Sequence, residues 1–269
     1  MTLVEKHSIN KNHKFYKEID DLLFKSKNLY NRANYEIREN FIKNKKFLNY
    51  NNLQKIAQNS FDAYKELPAK VSQQTLKLLD QNWKSFFASI KDWSKNPSKY
   101  LGRPKLPNYL DKTKGRQVVI YTKQAISKRE YLKTGLLNLS KTSIFIKTKI
   151  DFSNIQQVRI ISRIGYFVIE VVYKKEELKQ INSTNYLSID LGLNNLATVT
   201  NNFKDKFFII NGKPLKSINQ FYNKKLAEFK SKLTNSKTSN KINKLTLKRN
   251  SKVSDYLHKS SKYLIKSNV

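Results

Sequence analysis

The sequence predicts an α+β chain of several regions: a helical lobe, a small antiparallel β-domain of barrel-like form, and a C-terminal part mixing short strands with basic helices. Three observations predict it. Apolar residues recur at three- and four-residue steps across residues 10–95. Short β-rich runs between turn residues then extend to residue 178, with residues 1–9 as a further strand or arm of the same domain. From residue 184 onward, three short strands give way to two lysine-rich helices.

Each element has its signal. Asn10 can cap a long amphipathic helix carrying Phe15, Ile19, Leu22, Ser26, Tyr30, Ala33 and Ile37. Asn51 or Asn52 opens a second helix through Leu53, Ile56, Ala57, Phe61 and Tyr64. It ends near Leu67-Pro68, because a residue before proline is steered away from the α region. A third helix runs from about Ala69 to Trp93. Strands are expected at Arg116–Thr122, Gly135–Ser140, Ser143–Lys149, Val158–Ser162 and Tyr166–Tyr173, with Gly165 turning the last hairpin. Lys174–Thr184 reads as a polar linker. Strands at Tyr186–Asp190, Leu196–Thr200 and Lys206–Asn211 follow, then a helix on Leu215, Ile218, Tyr222, Leu226, Phe229 and Leu233. Ser236–Asn240 is a break, and a last basic helix holds Leu245, Val253, Tyr256, Leu257 and Leu264.

The charge narrows the partners. The 269 residues hold 53 Lys and Arg against 20 Asp and Glu, a net charge of +33. Such a surplus repels itself in a compact chain, and phosphates relieve it by releasing condensed counterions, so the expected partner is nucleic acid. AT-rich coding would raise Lys and Asn on any surface, but does not explain why so few acids offset them. No stretch is long and apolar enough for a membrane span, and the N-terminus lacks the apolar run of a secretory signal, so the expected location is cytoplasmic, on the nucleoid. The chain has no Cys, which excludes disulfides, thiolate zinc sites and iron–sulfur clusters. His7, His13 and His258 show no ligand cluster.

One motif carries chemistry. In Tyr186–Val199 (YLSIDLGLNNLATV) an apolar strand ends on Asp190, followed by a glycine and a returning strand. Ribonuclease-H-like nucleases present their first metal ligand in this way, and their chemistry needs two divalent ions about 3.5–4 Å apart, held by several carboxylates. Strand-Asp-x-Gly alone also fits a simple turn former.

The wider wording is more specific. IDLGLNNLAT resembles the first RuvC-like motif of TnpB (OrfB) proteins, the insertion-sequence accessory transposases that act as RNA-guided DNA nucleases. His13–Phe41 is similar to that family's N-terminal helical segment, often described as a helix-turn-helix. Leu101–Lys112, with GRPKLP, is similar to its GRPxxP connector, and Leu247–Ile265 to the basic helix before its second catalytic motif. The resemblance implies a RuvC-like, ribonuclease-H-like domain over residues 184–269, a helical lobe over 10–95, and a wedge-like β-domain over 1–9 and 96–178. It implies DNA and an element-encoded guide RNA as partners, no small-molecule substrate, and Mg²⁺ with Asp190 as its first carboxylate.

Arg103 and Lys105, beside a proline in a rigid connector, are candidate phosphate contacts. So are Lys224, Lys225, Lys248, Arg249, Lys252 and Lys259 on the basic helices; from residue 211 onward 15 Lys and Arg face only Glu228 and Asp255. The family's second and third acidic motifs and its zinc ribbon have no counterpart in this sequence. The expectation is therefore a truncated, catalytically incomplete relative in which Asp190 is vestigial and Mg²⁺ is not productively bound. Two alternatives stand beside it: an active nuclease half completed by a second chain or frameshift product, and a generic basic RNA-binding protein.

Overall fold

A computed structural model describes residues 1–177, 184–203, 207–234 and 238–266. Most of the expected linker, Lys206 at the start of the third C-terminal strand, and part of the Ser236–Asn240 break lie outside the described residues. Two compact units are present, Met1–Glu177 and Leu178–Val269. Among the described residues the chain is mixed α+β, with seven α-helices and three antiparallel sheets.

The first unit begins with strand β1 (Thr2–Ile9) and helix α1 (Tyr16–Asn44). Asn10 does not cap α1. Its carbonyl accepts the His13 N–H (3.0 Å) in a preceding turn, and the helix starts six residues later without a side-chain cap. Helix α2 (Tyr50–Ser60) starts from Asn49, whose side chain accepts the Asn52 N–H at 3.1 Å. The single helix expected to reach Leu67 breaks at Phe61, which is extended and buried in the core, and a short helix α3 (Asp62–Lys65) follows. Helix α4 (Ala69–Lys95) starts directly after Pro68, whose carbonyl accepts the Val71 and Ser72 N–H groups. Trp83 of α4 is fully buried among Phe41, Phe47, Phe86 and Phe87.

The β-part comprises β2 (Val119–Thr122), helix α5 (Lys128–Thr134), β3 (Leu136–Asn138), β4 (Phe145–Lys147), β5 (Ile155–Arg163) and β6 (Tyr166–Lys174). The main sheet has the order β1-β6-β5-β2, so β1 and β2 are its edges, while β3 and β4 pair separately. The barrel-like expectation thus reduces to an open sheet plus a small hairpin; among the described residues no barrel closes. Gly165, at φ +84°, turns the β5–β6 hairpin as expected. One hydrophobic core runs from Ile19, Leu23 and Leu79 to Val119, Ile160 and Val171, joining helices and sheet.

Between α4 and β2 the chain runs extended, and polar groups of α1 pin it. The Lys27 ammonium donates to the Lys112 carbonyl (2.7 Å), and Asn31 bonds both the N–H and the C=O of Leu110. Asn34 and Arg38 both donate to the Pro107 carbonyl. Steps of four, three and four residues put these side chains on one helix face. Lys27 and Asn34 are buried, and burial pulls the Lys27 ammonium below its usual pKa.

The second unit has strands β7 (Leu187–Leu191), β8 (Asn195–Asn201) and β9 (Phe208–Asn211) in that spatial order, then helices α6 (Lys213–Ser231) and α7 (Asn240–Lys266). Its buried apolar residues among those described are Ala197, Val199 and Ile242, far fewer than in the first unit.

Candidate nucleic-acid interface and the Asp190 strand end

Asp190 lies on β7 directly opposite Thr198, exposed to solvent. Side chains alternate across a strand. Ile189 pairs with Val199, and Val199 with Phe208, so these three share one face of the sheet. The Tyr263 ring of α7 meets that face, 5.4 Å from Phe208. Asp190 therefore points to the opposite face.

The turn after Asp190 needs its glycine for space, not for a left-handed backbone. Gly192 is not among the positive-φ residues, but a Cβ there would meet the Asn195 carbonyl oxygen at 2.8 Å. Gly212, just before α6, sits closer still, its N–H donating to Asn194 O at 2.7 Å.

Among the described residues no three His, Cys, Asp or Glu side chains converge on a metal position. Glu228 is held by Lys225 (2.7 Å) and Lys232 (3.3 Å), which keep its carboxylate below the usual range. Asp255 pairs with Lys259 at 2.8 Å. Both acids neutralise lysines on their own helix. A lone exposed carboxylate leaves a divalent ion most of its water shell, so these residues do not fit the two-ion centre that the sequence resemblance implies. With no Cys in the chain, a thiolate zinc site has no ligands.

The basic helices build a surface instead. Along α7, Lys241, Lys244, Lys248, Lys252, Lys259, Lys262 and Lys266 recur at helical spacing and are all exposed, with Asp255 the one acid in the stripe. At about 1.5 Å per residue the 27-residue helix extends this stripe over about 40 Å. Ile242, Leu245, Arg249 and Val253 occupy the less exposed face. Of the stripe lysines only Lys259 forms an ion pair among the described residues.

Where α7 meets α6, Lys248, Arg249 and Lys252 border a cavity of about 290 Å³ with Ser217, Phe221 and Tyr222. The Arg249 guanidinium is fixed there. Its Nε donates to Asn219 Oδ1 (2.8 Å), and its carbon lies 5.7 Å from the centre of the Tyr222 ring. The Phe221 ring is 60% exposed beside these cations, a ready stacking surface.

The structure thus brings together three of the sequence-predicted contacts, Lys248, Arg249 and Lys252. Lys224 and Lys225 lie on α6 outside the cavity lining, and Lys225 and Lys259 are engaged by carboxylates. Arg103 and Lys105 are exposed on the pinned connector of the first unit, with the Arg103 guanidinium 5.9 Å from the Trp93 ring centre. Phe221, Tyr222, Lys241, Lys244, Lys262 and Lys266 were not anticipated, although the three- and four-residue lysine spacing was present in the sequence. His258 is exposed on α7. No described helix is long and apolar enough to cross a membrane.

Residues 170–269 match the OrfB_IS605 family, described as a probable transposase. The match takes in the Asp190 motif and the Leu247–Ile265 helix, so the resemblance read from the sequence holds over that segment. His13–Phe41 and Leu101–Lys112 lie outside it. No curated protein matches the sequence. Two solved structures are similar at low superposition. One is the Cas12f1–sgRNA–target DNA complex (TM-score 0.33, 14% identity, 98% of this chain and 71% of that one). The other is a CRISPR-Cas12f ternary complex (TM-score 0.32, 13% identity, 94% of this chain and 62% of that one).

Proposed function

We propose that this chain, whose residues 170–269 match the OrfB_IS605 family, is a transposon-encoded nucleic-acid-binding protein of TnpB type that grips phosphodiester backbone with α6 and α7. The supporting observation is the exposed lysine stripe of α7 beside the Phe221–Arg249 groove. Cations about 5–6 Å apart within each of two groups, Lys241–Lys252 and Lys259–Lys266, neutralise neighbouring phosphates along a rigid rod, and an exposed ring accepts a base. The partners that suit such a surface are the element's own RNA and its DNA target.

Binding, not hydrolysis, is the activity proposed for these residues, because Asp190 has no converging acids among those described. Asp190 would offer Mg²⁺ one ligand and no more. The test uses the full chain with the element's RNA and labelled duplex DNA. Replacing Lys244, Lys248 and Lys252 by Gln should make the plot of log affinity against log salt shallower by about 2–3 on duplex, while Asp190→Ala should leave binding unchanged. Magnesium- or manganese-dependent cleavage that disappears in Asp190→Ala would overturn the binding-only reading. An unchanged salt slope in the triple variant would overturn the placement on α7.

A further inference from the structure

In the first unit, β1, the turn into α1 and the β3–β4 hairpin enclose a cavity of about 410 Å³. That volume is in the range of small-ligand sites, roughly 300–1,000 Å³. Its floor is apolar and tightly buried: Ile9, Phe15, Ile146 and Ile169 are each less than a tenth exposed. Phe145 stands at the rim, 39% exposed, its ring edge-to-face with Phe15 at 5.0 Å. Lys14, Lys147 and His13 complete the rim, and no lining residue is acidic.

The two rim lysines form no ion pair among the described residues. The Lys14 ammonium rests 4.2 Å from the centre of the Phe145 ring and 4.9 Å from that of Phe15. At an exposed site an ammonium–ring contact is weak, so a flat base can displace the ammonium from the Phe145 face and leave the cation for an anion. Glu5, an acid beside the cavity, is already engaged by His7 (2.6 Å) and Thr148 (3.0 Å). An apolar slot, an accessible aromatic ring and two cations outside any described ion pair thus match a flat base joined to a phosphate. A base within a duplex is stacked and paired, so only an unpaired one can enter such a slot.

We propose that this cavity receives one unpaired nucleotide of a bound strand, its base stacked on Phe145 and its flanking phosphates held by Lys14 and Lys147. The site deepens the proposed function, on which it rests, by adding a base-accepting pocket in a different unit from the α7 stripe.

The test measures binding of the full chain to a labelled 12-nucleotide single strand carrying 5-iodouracil, as RNA and as DNA, with a fully paired duplex as control. Phe145→Ala should weaken single-strand binding by about 5- to 100-fold and leave duplex binding unchanged. Phe145→Tyr, which keeps the stacking ring, should bind as the parent does. Ultraviolet cross-linking of the iodinated strand should label the Ser143–Lys147 peptide, and the stronger of the RNA and DNA arms identifies the source of the nucleotide. Equal single-strand affinity of the parent and Phe145→Ala, with cross-links confined to residues 213–266, would overturn the pocket while leaving the α7 reading standing. Absence of binding to any strand by the parent protein would overturn both.

Discussion

Replacing Asn34 by alanine tests how the first unit is held together. Asn34 is fully buried; its amide donates to the Pro107 carbonyl at 3.0 Å and its oxygen accepts the Trp83 indole N–H at 3.0 Å. Truncation leaves that indole N–H unpaired inside the aromatic cluster, a penalty of about 1–3 kcal/mol. Pro107 keeps its bond from Arg38 at 2.6 Å, so the loss at that end is smaller. Together the effect should be about 2–3 kcal/mol. Both tryptophans, Trp83 and Trp93, lie in the first unit, so tryptophan fluorescence during urea unfolding reports on that unit. With a slope of about 2 kcal/mol per molar urea, the midpoint should fall by about 1–1.5 M. Asn31→Ala removes a half-exposed residue and should cost less, about 1 kcal/mol. An Asn34→Ala midpoint within about 0.3 M of the parent, at unchanged slope, would refute the claim that Asn34 stabilises the first unit by pairing the Trp83 indole and the connector carbonyl.

Two further predictions follow from buried groups and close approaches. Tyr121 of β2 is fully buried and its hydroxyl has no hydrogen-bond partner among the described residues, so Tyr121→Phe should stabilise the first unit by about 1 kcal/mol in the same urea titration. Burial, with a smaller contribution from Glu18, raises the Tyr121 pKa well above its usual 10.0. The folded state thus keeps a proton that the unfolded chain releases, so this contribution to stability is complete below about pH 10 and declines as pH rises further; Tyr121→Phe should flatten the alkaline limb of the stability profile. At Gly212 a Cβ would meet the Leu193 carbonyl oxygen at 2.3 Å, so Gly212→Ala should destabilise the second unit by about 1–3 kcal/mol and speed amide exchange in β7–β9.

Much of this architecture was readable because periodicity reports burial. The apolar steps of α1 and α4, the β5–β6 hairpin around Gly165 and the Asp190 strand all stand close to where pattern placed them. What pattern missed depended on contacts distant in sequence. Asn31, Asn34 and Arg38 look like a solvated helix face until the connector, some 70–80 residues further on, is laid over them. Helix α5 carried a legible signal, Ser127 with Glu130 three residues later and Gly135 as its stop, hidden by its shortness. The Phe61 break arises because burying its ring in the core outweighs continuing the helix. At the candidate interface the cations were legible as composition, but their grouping with Phe221 and Tyr222 required knowing which face α6 turns to α7.

The most direct test of the central claim is the equilibrium affinity of the intact chain for duplex DNA and for the element's RNA between about 50 and 200 mM salt. A surface that neutralises roughly six to ten phosphates predicts a loss of three to five decades of affinity across that range. An affinity that stays flat would contradict the account.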